Sequence, residues 1–195
     1  MSAMFRLMIA AFMVCGCDGP NGADVDAKAT PPAPMATVIG QWVSGCQDGI
    51  IASATFNGGG AGGSFDMHYH LEDECNTEAM VASTTFSWDS QPIGSDSTLD
   101  LTFSGYTLTP KHADAVSYLN GIMSGNFTDW QLGVSKDVLG ATNMGTDILA
   151  LESGDMWLGI YRITEQDVLA WAFNPDQPLT RPTDFSDSVL MSREQ

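Results

Sequence analysis

The sequence predicts an all-β, antiparallel fold of about nine strands with one short amphipathic helix. Two patterns carry that expectation. From Val38 onward apolar and polar residues alternate in short runs rich in β-branched and aromatic side chains, the period of a half-buried strand. Between the runs stand turn-forming clusters such as Asn57-Gly58-Gly59-Gly60, Ser153-Gly154-Asp155 and Asn174-Pro175-Asp176.

Taken in order, strands are expected at residues 37–44, 50–56, 64–71, 79–88, 99–108, 148–151, 156–163, 168–173 and 189–192, with further turns at 89–96 and 164–166. The glycine-rich stretch 57–63 is too long for a two-residue hairpin and reads as a mobile tip. A phosphate cradle would need a helix after it, and a strand follows. The helix is expected at residues 110–123. Thr109 can cap it, Pro110 suits its first position, and Ala115, Val116, Leu119, Ile122 and Met123 share one face. Gly121 or Gly125 would end it. A lone amphipathic helix among consecutive strands most simply lids one end or one side of a barrel or sheet.

The first 36 residues stand apart from this pattern. An apolar run of roughly ten residues, about half the ~20 that span a bilayer, reaches Val14 with Arg6 as its one basic residue. It breaks at Val14-Cys15-Gly16-Cys17-Asp18. Val14 at −3, Gly16 at −1 and Cys17 at +1 resemble the lipobox of diacylglyceryl-modified bacterial lipoproteins. The resemblance implies a signal peptide over residues 1–16 and acylation of Cys17 with palmitate-type chains, so that the membrane is a partner through the anchor. Two or three such chains hold lastingly where one holds only marginally. Cys15 is the competing acceptor, but Phe12, Met13 and Val14 before it are bulkier than such a peptidase usually takes. Asp18 favours the inner membrane in enterobacterial lipoproteins; the rule differs between lineages, and inner and outer membrane both stay open. Residues 17–36, interrupted by Pro20, Gly22, Pro31, Pro32 and Pro34, read as a flexible tether, and residues 37–195 as one domain.

Against 24 acidic residues stand only 7 Lys and Arg, for a formal net charge of −17. Such a surface repels phosphate, which argues against nucleic acid and anionic lipid head groups as partners. The acids are scattered singly and read as a solvated surface. Cys46 and Cys75 are the two cysteines of the folded part. In the oxidising compartment beyond the inner membrane they are expected to form a structural disulfide, whose loop of about 30 residues is worth roughly 3 kcal/mol. A redox-active pair would favour a Cys-x-x-Cys spacing, which is absent.

Gly40-Gln41-Trp42, in the first strand, resembles the opening motif of lipocalin-like (calycin-type) β-barrels. Ile160-Tyr161-Arg162-Ile163, Asp167-Val168-Leu169, Arg181-Pro182-Thr183-Asp184-Phe185 and Val189-Leu190-Met191-Ser192-Arg193 are similar to the terminal strands of small bacterial lipocalin-like domains. The resemblance covers residues 38–46 and 159–195, and the helix departs from a simple eight-stranded up-and-down pattern. It implies an antiparallel barrel of about eight to nine strands in which Trp42 plugs the closed end and a late basic residue packs across it. Arg193 is the expected residue and Arg181 the competing one. A barrel of eight strands has room for its own side chains or one small ligand.

Catalytic chemistry is weakly represented. Asp66, His68 and His70 alternate with Phe65, Met67, Tyr69 and Leu71 and so share one strand face. The two imidazoles could chelate a divalent metal if a third ligand such as Asp66, Glu72 or another strand's carboxylate converged on them, but a solvent-facing side of a barrel strand is the expected reading. His112 belongs to the helix region. No Gly-x-Ser-x-Gly elbow occurs, and acidic pairs such as Asp73 and Glu74, or Asp129 and Asp137, say little in so acidic a chain. Trp88, Trp130, Trp157 and Trp171 could line an apolar cavity, though core packing is the expected role. No catalytic residue, metal site or cofactor is assigned. The expected function is that of a lipid-anchored lipoprotein of the bacterial cell envelope, facing the periplasm or the surface, that binds a small apolar or amphipathic ligand without catalysis. The alternatives are a structural or interaction lipoprotein with a filled barrel, and a metal-binding envelope protein.

Overall fold

The computed structural model describes residues 37–58, 62–122, 127–141, 150–174, 177–186 and 188–194. In chain order its elements are β1 (Gly40–Ser44), β2 (Ile50–Phe56), β3 (Gly63–His70), β4 (Glu78–Asp89), β5 (Pro92–Ile93), β6 (Asp96–Pro110), α1 (Ala113–Ile122), β7 (Lys136–Asp137), β8 (Met156–Ile163), β9 (Val168–Phe173) and β10 (Val189–Arg193). Eight strands close into an antiparallel barrel in the order β1-β2-β3-β4-β6-β8-β9-β10, and β10 returns to β1. The fold class is therefore the expected one, a closed barrel consistent with a lipocalin-like architecture, carrying one short helix.

Strand alternation sets the inner face. Trp42 pairs with Ala54, Ala54 with Phe65, Phe65 with Thr84, and Thr84 with Tyr106, so these residues form one inward row. The next row is Ala52, Met67, Ala82 and Leu108; the one after it is Ile50, Tyr69, Met80 and Pro110. On the other side of the first row lie Phe56, Gly63, Phe86 and Phe103. Between Thr85 and Phe86 the register slips, leaving Ser104 unopposed. This bulge reverses the parity of the long strand β6. Leu99, Leu101 and Phe103 before it, and Tyr106 and Leu108 after it, are all buried.

Several local expectations are corrected. Thr109 and Pro110 do not start the helix but end β6, opposite Val81 and Met80, because the inward alternation of Tyr106 and Leu108 extends through Pro110. A proline is tolerated at a strand end. His112 caps the helix instead: its carbonyl accepts the Val116 N–H at 3.2 Å, and its Nδ1 accepts the Asp114 N–H at 3.2 Å. Helix α1 runs past Gly121 to Ile122, and Met123 and Gly125 lie outside the described residues. The span expected as turn at 89–96 contains β5, and β5 and β7 both pair along β6. Of the strand expected at 148–151, Ala150 and Leu151 are described and are not in a strand. Leu151 is nonetheless buried, and its carbonyl accepts the Gly140 N–H at 2.7 Å. Thr37 to Ile39 precede β1 rather than belong to it.

Helix α1 follows β6 directly and packs against β4 and β6, burying Ala115 and Leu119 in the common core. It lies at the barrel end where β4 begins and β6 finishes. Outside the barrel, the segment 177–186 crosses β8: the Pro178 carbonyl accepts the Leu158 N–H at 2.8 Å. Arg181 grips Asp100 with both nitrogens of its fork, Nη1–Oδ1 at 2.6 Å and Nη2–Oδ2 at 3.0 Å.

Candidate functional site

The barrel end opposite α1 is built from the start of β1 and the end of β10. The Arg193 guanidinium lies 4.1 Å from the Trp42 ring centroid. Its Nη1 donates to the Ile39 carbonyl at 2.8 Å, and its Nε donates to Asp167 Oδ2 at 2.7 Å. The Trp42 indole N–H donates to the Val38 carbonyl at 2.7 Å, which folds residues 37–39 over the ring. Gly40 has φ +136°, and a side chain there would collide with Arg193 Nη1. The structure thus brings Gly40, Trp42 and Arg193 together. Arg181, the competing residue, binds Asp100 and the Gly159 carbonyl instead.

Next along the interior is a circuit of aromatic rings. Phe103 meets Trp157 at 5.1 Å, Trp157 stacks on Phe173 at 4.7 Å, and Phe173 meets Trp171 at 5.2 Å. Trp171 reaches Phe56 at 6.1 Å, Phe56 meets Phe86 at 5.6 Å, and Phe86 returns to Phe103 at 6.3 Å. Three of these six contacts, Phe103–Trp157, Trp171–Phe56 and Phe86–Phe103, are edge-to-face, an arrangement ring quadrupoles favour. Phe65 adds a T-shaped contact to Trp171 at 5.3 Å. Gly159 is the small residue that admits the Trp171 indole: a side chain there would meet Trp171 Nε1 and the carbonyl oxygens of Ala172 and Leu99.

Toward α1 the inner face changes character. Small residues, Ala54, Thr84, Ala52 and Ala82, alternate there with Phe65, Met67 and Leu108, and two tyrosines, Tyr69 and Tyr106, take inward positions. Tyr106 is 1% exposed, and its hydroxyl has no hydrogen-bond partner among the described residues. The Tyr69 hydroxyl has only the Met67 thioether, at 3.5 Å, a weak acceptor. Burial pushes the Tyr69 phenol up to about 12; burial first, and then the neighbouring Tyr69, raises Tyr106. Both are neutral O–H donors across the ordinary pH range. The indole N–H groups of Trp88, Trp130 and Trp171 are likewise buried without a partner among the described residues. No protein-family model and no curated protein matches this chain. The reading of the site therefore rests on this geometry.

On the outer face, Asp66, His68 and His70 share the side of β3 opposite Met67 and Tyr69. His68 Nδ1 bonds Glu78 Oε1 at 2.6 Å, and His70 Nδ1 bonds the Gly49 carbonyl at 3.1 Å. Among the described residues no group of three His, Cys, Asp or Glu side chains is placed to hold a metal ion. Cys46 and Cys75 form a disulfide joining the β1–β2 and β3–β4 loops, at the barrel end that carries α1. Beside it Glu72 accepts from the Thr77 hydroxyl at 2.7 Å and the Thr77 N–H at 3.0 Å, which hold its carboxyl below the usual range. Cys17 lies outside the described residues. Tyr69 stands in the sequence only as one of the apolar face of its strand, and Tyr106 is not singled out there. For Tyr69 the signal is the inward parity of Phe65, Met67 and Tyr69, which puts a phenol hydroxyl where apolar side chains belong.

Proposed function

We propose that this chain is a cell-envelope lipoprotein, anchored through acylated Cys17, whose barrel binds a small apolar or amphipathic ligand without catalysis. What supports the anchor is the Val14-Cys15-Gly16-Cys17 motif after a short apolar run. What supports ligand binding is one observation above all: the inner face of a closed barrel is apolar, yet it keeps buried donor groups, Tyr106 Oη and Trp171 Nε1 among them, with no acceptor among the described residues. Native proteins rarely leave such groups unmet, and a bound molecule is one way of meeting them. The test is mass spectrometry of the detergent-extracted full chain in native and denaturing form. A chain acylated at Cys17 that releases a small mass on denaturation supports the reading. An unmodified chain starting at Met1 removes the anchor, and the absence of any releasable mass removes the ligand.

The aromatic circuit favours a second reading, a structural or interaction lipoprotein whose barrel is filled by its own rings. The two readings divide on whether the α1 side of the barrel takes up a molecule.

A further inference from the structure

We propose that a groove on the outer wall of the barrel, where β4, β6 and β8 run side by side, docks a lysine or arginine side chain of a basic partner polypeptide. This surface lies outside the barrel and depends on neither reading of its interior. Phe86, Leu101 and Phe103 are buried on the inner face, so the residues between them point out. Ser87 opposes Thr102, which opposes Met156, and in the next row Asp89 opposes Asp100. These five residues, with Trp88, line a groove of about 260 Å³. That volume falls short of the roughly 300 Å³ at which pockets for drug-sized molecules begin. One long side chain laid in from a second polypeptide suits it.

Charge selects the occupant. Asp89 and Asp100 are direct cross-strand partners, and like charges so placed weaken a sheet unless cations stand beside them. Arg181 supplies one: its fork takes Asp100 while its Nη1 also donates to the Gly159 carbonyl, so it comes from the β8 side. On the β4 side the Asp89 carboxylate is exposed and has no hydrogen bond or ion pair among the described residues. The Ser87 and Thr102 hydroxyls have no partner among them either. Arg162, Arg193 and Lys136 are engaged elsewhere, by Asp96, Asp167 and Asp129, and Lys111 follows the far end of β6. The groove therefore keeps one uncompensated carboxylate and two hydroxyl acceptors beside the half-exposed Met156 side chain. An ammonium or guanidinium on a methylene stem matches this set, its head on Asp89 and the hydroxyls and its stem along Met156. A free amine would have little else to hold it, since one exposed ion pair contributes little; a side chain brings the rest of its polypeptide to the sheet around the groove. The net charge of −17 draws in a basic partner and turns away an acidic one.

The test is fluorescence anisotropy of the full chain with a rhodamine-labelled peptide, Gly-Ser-Lys-Ser-Gly-Lys-Ser-Gly, and with the same peptide carrying norleucine for lysine. The lysine peptide is expected to bind and the norleucine peptide not to. Asp89→Asn should weaken the lysine peptide about 2- to 5-fold, the range of an exposed ion pair. Ser87→Lys, which sets a resident ammonium in the groove, should weaken it at least about tenfold. Asp66→Asn and Ser64→Lys make the same charge changes on the outer wall of β3 and should alter affinity by less than about 1.5-fold at roughly 0.15 M salt, where distant charges are screened. Equal losses in the two pairs of variants would mean attraction to the overall charge alone and overturn the inference. Binding of neither peptide, equal binding of both, or an unchanged affinity in Asp89→Asn or Ser87→Lys also overturns it. Lysine amide that displaces the peptide at equal concentration would make the occupant a free amine, and overturns the polypeptide.

Discussion

Arg193 and Trp42 are cross-strand partners at the seam between the last strand and the first, and the guanidinium of one lies 4.1 Å over the ring of the other. The same guanidinium bonds Asp167 and the Ile39 carbonyl, so one side chain ties β10, the β8–β9 turn and the segment before β1. Lysine has neither the flat face nor the fork to do this. Arg193→Lys is expected to lower unfolding free energy by about 1–2 kcal/mol, measured by urea denaturation. A change under a few tenths would show the contact to be idle.

Gly40→Ala at the same seam carries two penalties, a φ of +136° and a collision with Arg193 Nη1. The expected loss is about 1–3 kcal/mol. In the double variant with Arg193→Ala the collision is gone, so the two losses should fall short of additive, which a double-mutant cycle reads directly.

Cys46 and Cys75 are 29 residues apart in sequence and tie two loops at the α1 end. Replacing both with serine is expected to cost about 3 kcal/mol by the loop-entropy estimate. Adding a reductant to the wild type should shift its urea midpoint to the same place, and leave the double variant unmoved.

Leu119 is fully buried where α1 meets the barrel. Leu119→Ala should cost about 2–4 kcal/mol. Hydrogen exchange in residues 113–122 should rise more than exchange in β1–β3, because the helix is held by this face rather than by its own length.

Tyr69 sets an alkaline limit. Its folded-state value is raised to about 12 by burial, against 10.0 for an exposed phenol. Below pH 10 both states keep the proton, and the group adds no pH dependence. From pH 10 upward the unfolded chain sheds the proton first, so stability is lost as pH rises toward 12. Tyr106, raised in the same direction, adds to the fall. The urea midpoint followed from pH 8 to 12 should drop more steeply in the wild type than in Tyr69→Phe. Equal slopes would place that phenol in water.

Much of this fold was readable from short β-branched and aromatic runs set between turn residues: β2, β8 and β9 fall at the expected bounds, and β3, β4 and β10 within two residues of them. Trp42, Gly40 and the distant Arg193 could be named from local motifs alone. What could not be read depends on partners far along the chain. Strands β5 and β7 are two residues each and exist only as additions to β6. Thr109-Pro110 has the local look of a helix start, yet pairing with Val81 and Met80 holds both in a strand. The hydroxyl of Tyr106 gives no sign in sequence of lacking a partner, since that depends on which side chains the opposite walls leave small.

The seam between β1 and β10 also bears on how the molecule comes into being. The strand that completes the cylinder is the last of the barrel strands in chain order, so a growing chain keeps the β1 edge open until residues 189–193 arrive. Closure must wait for β10, and until then the unpaired edge of β1 is the place where a stray strand could insert.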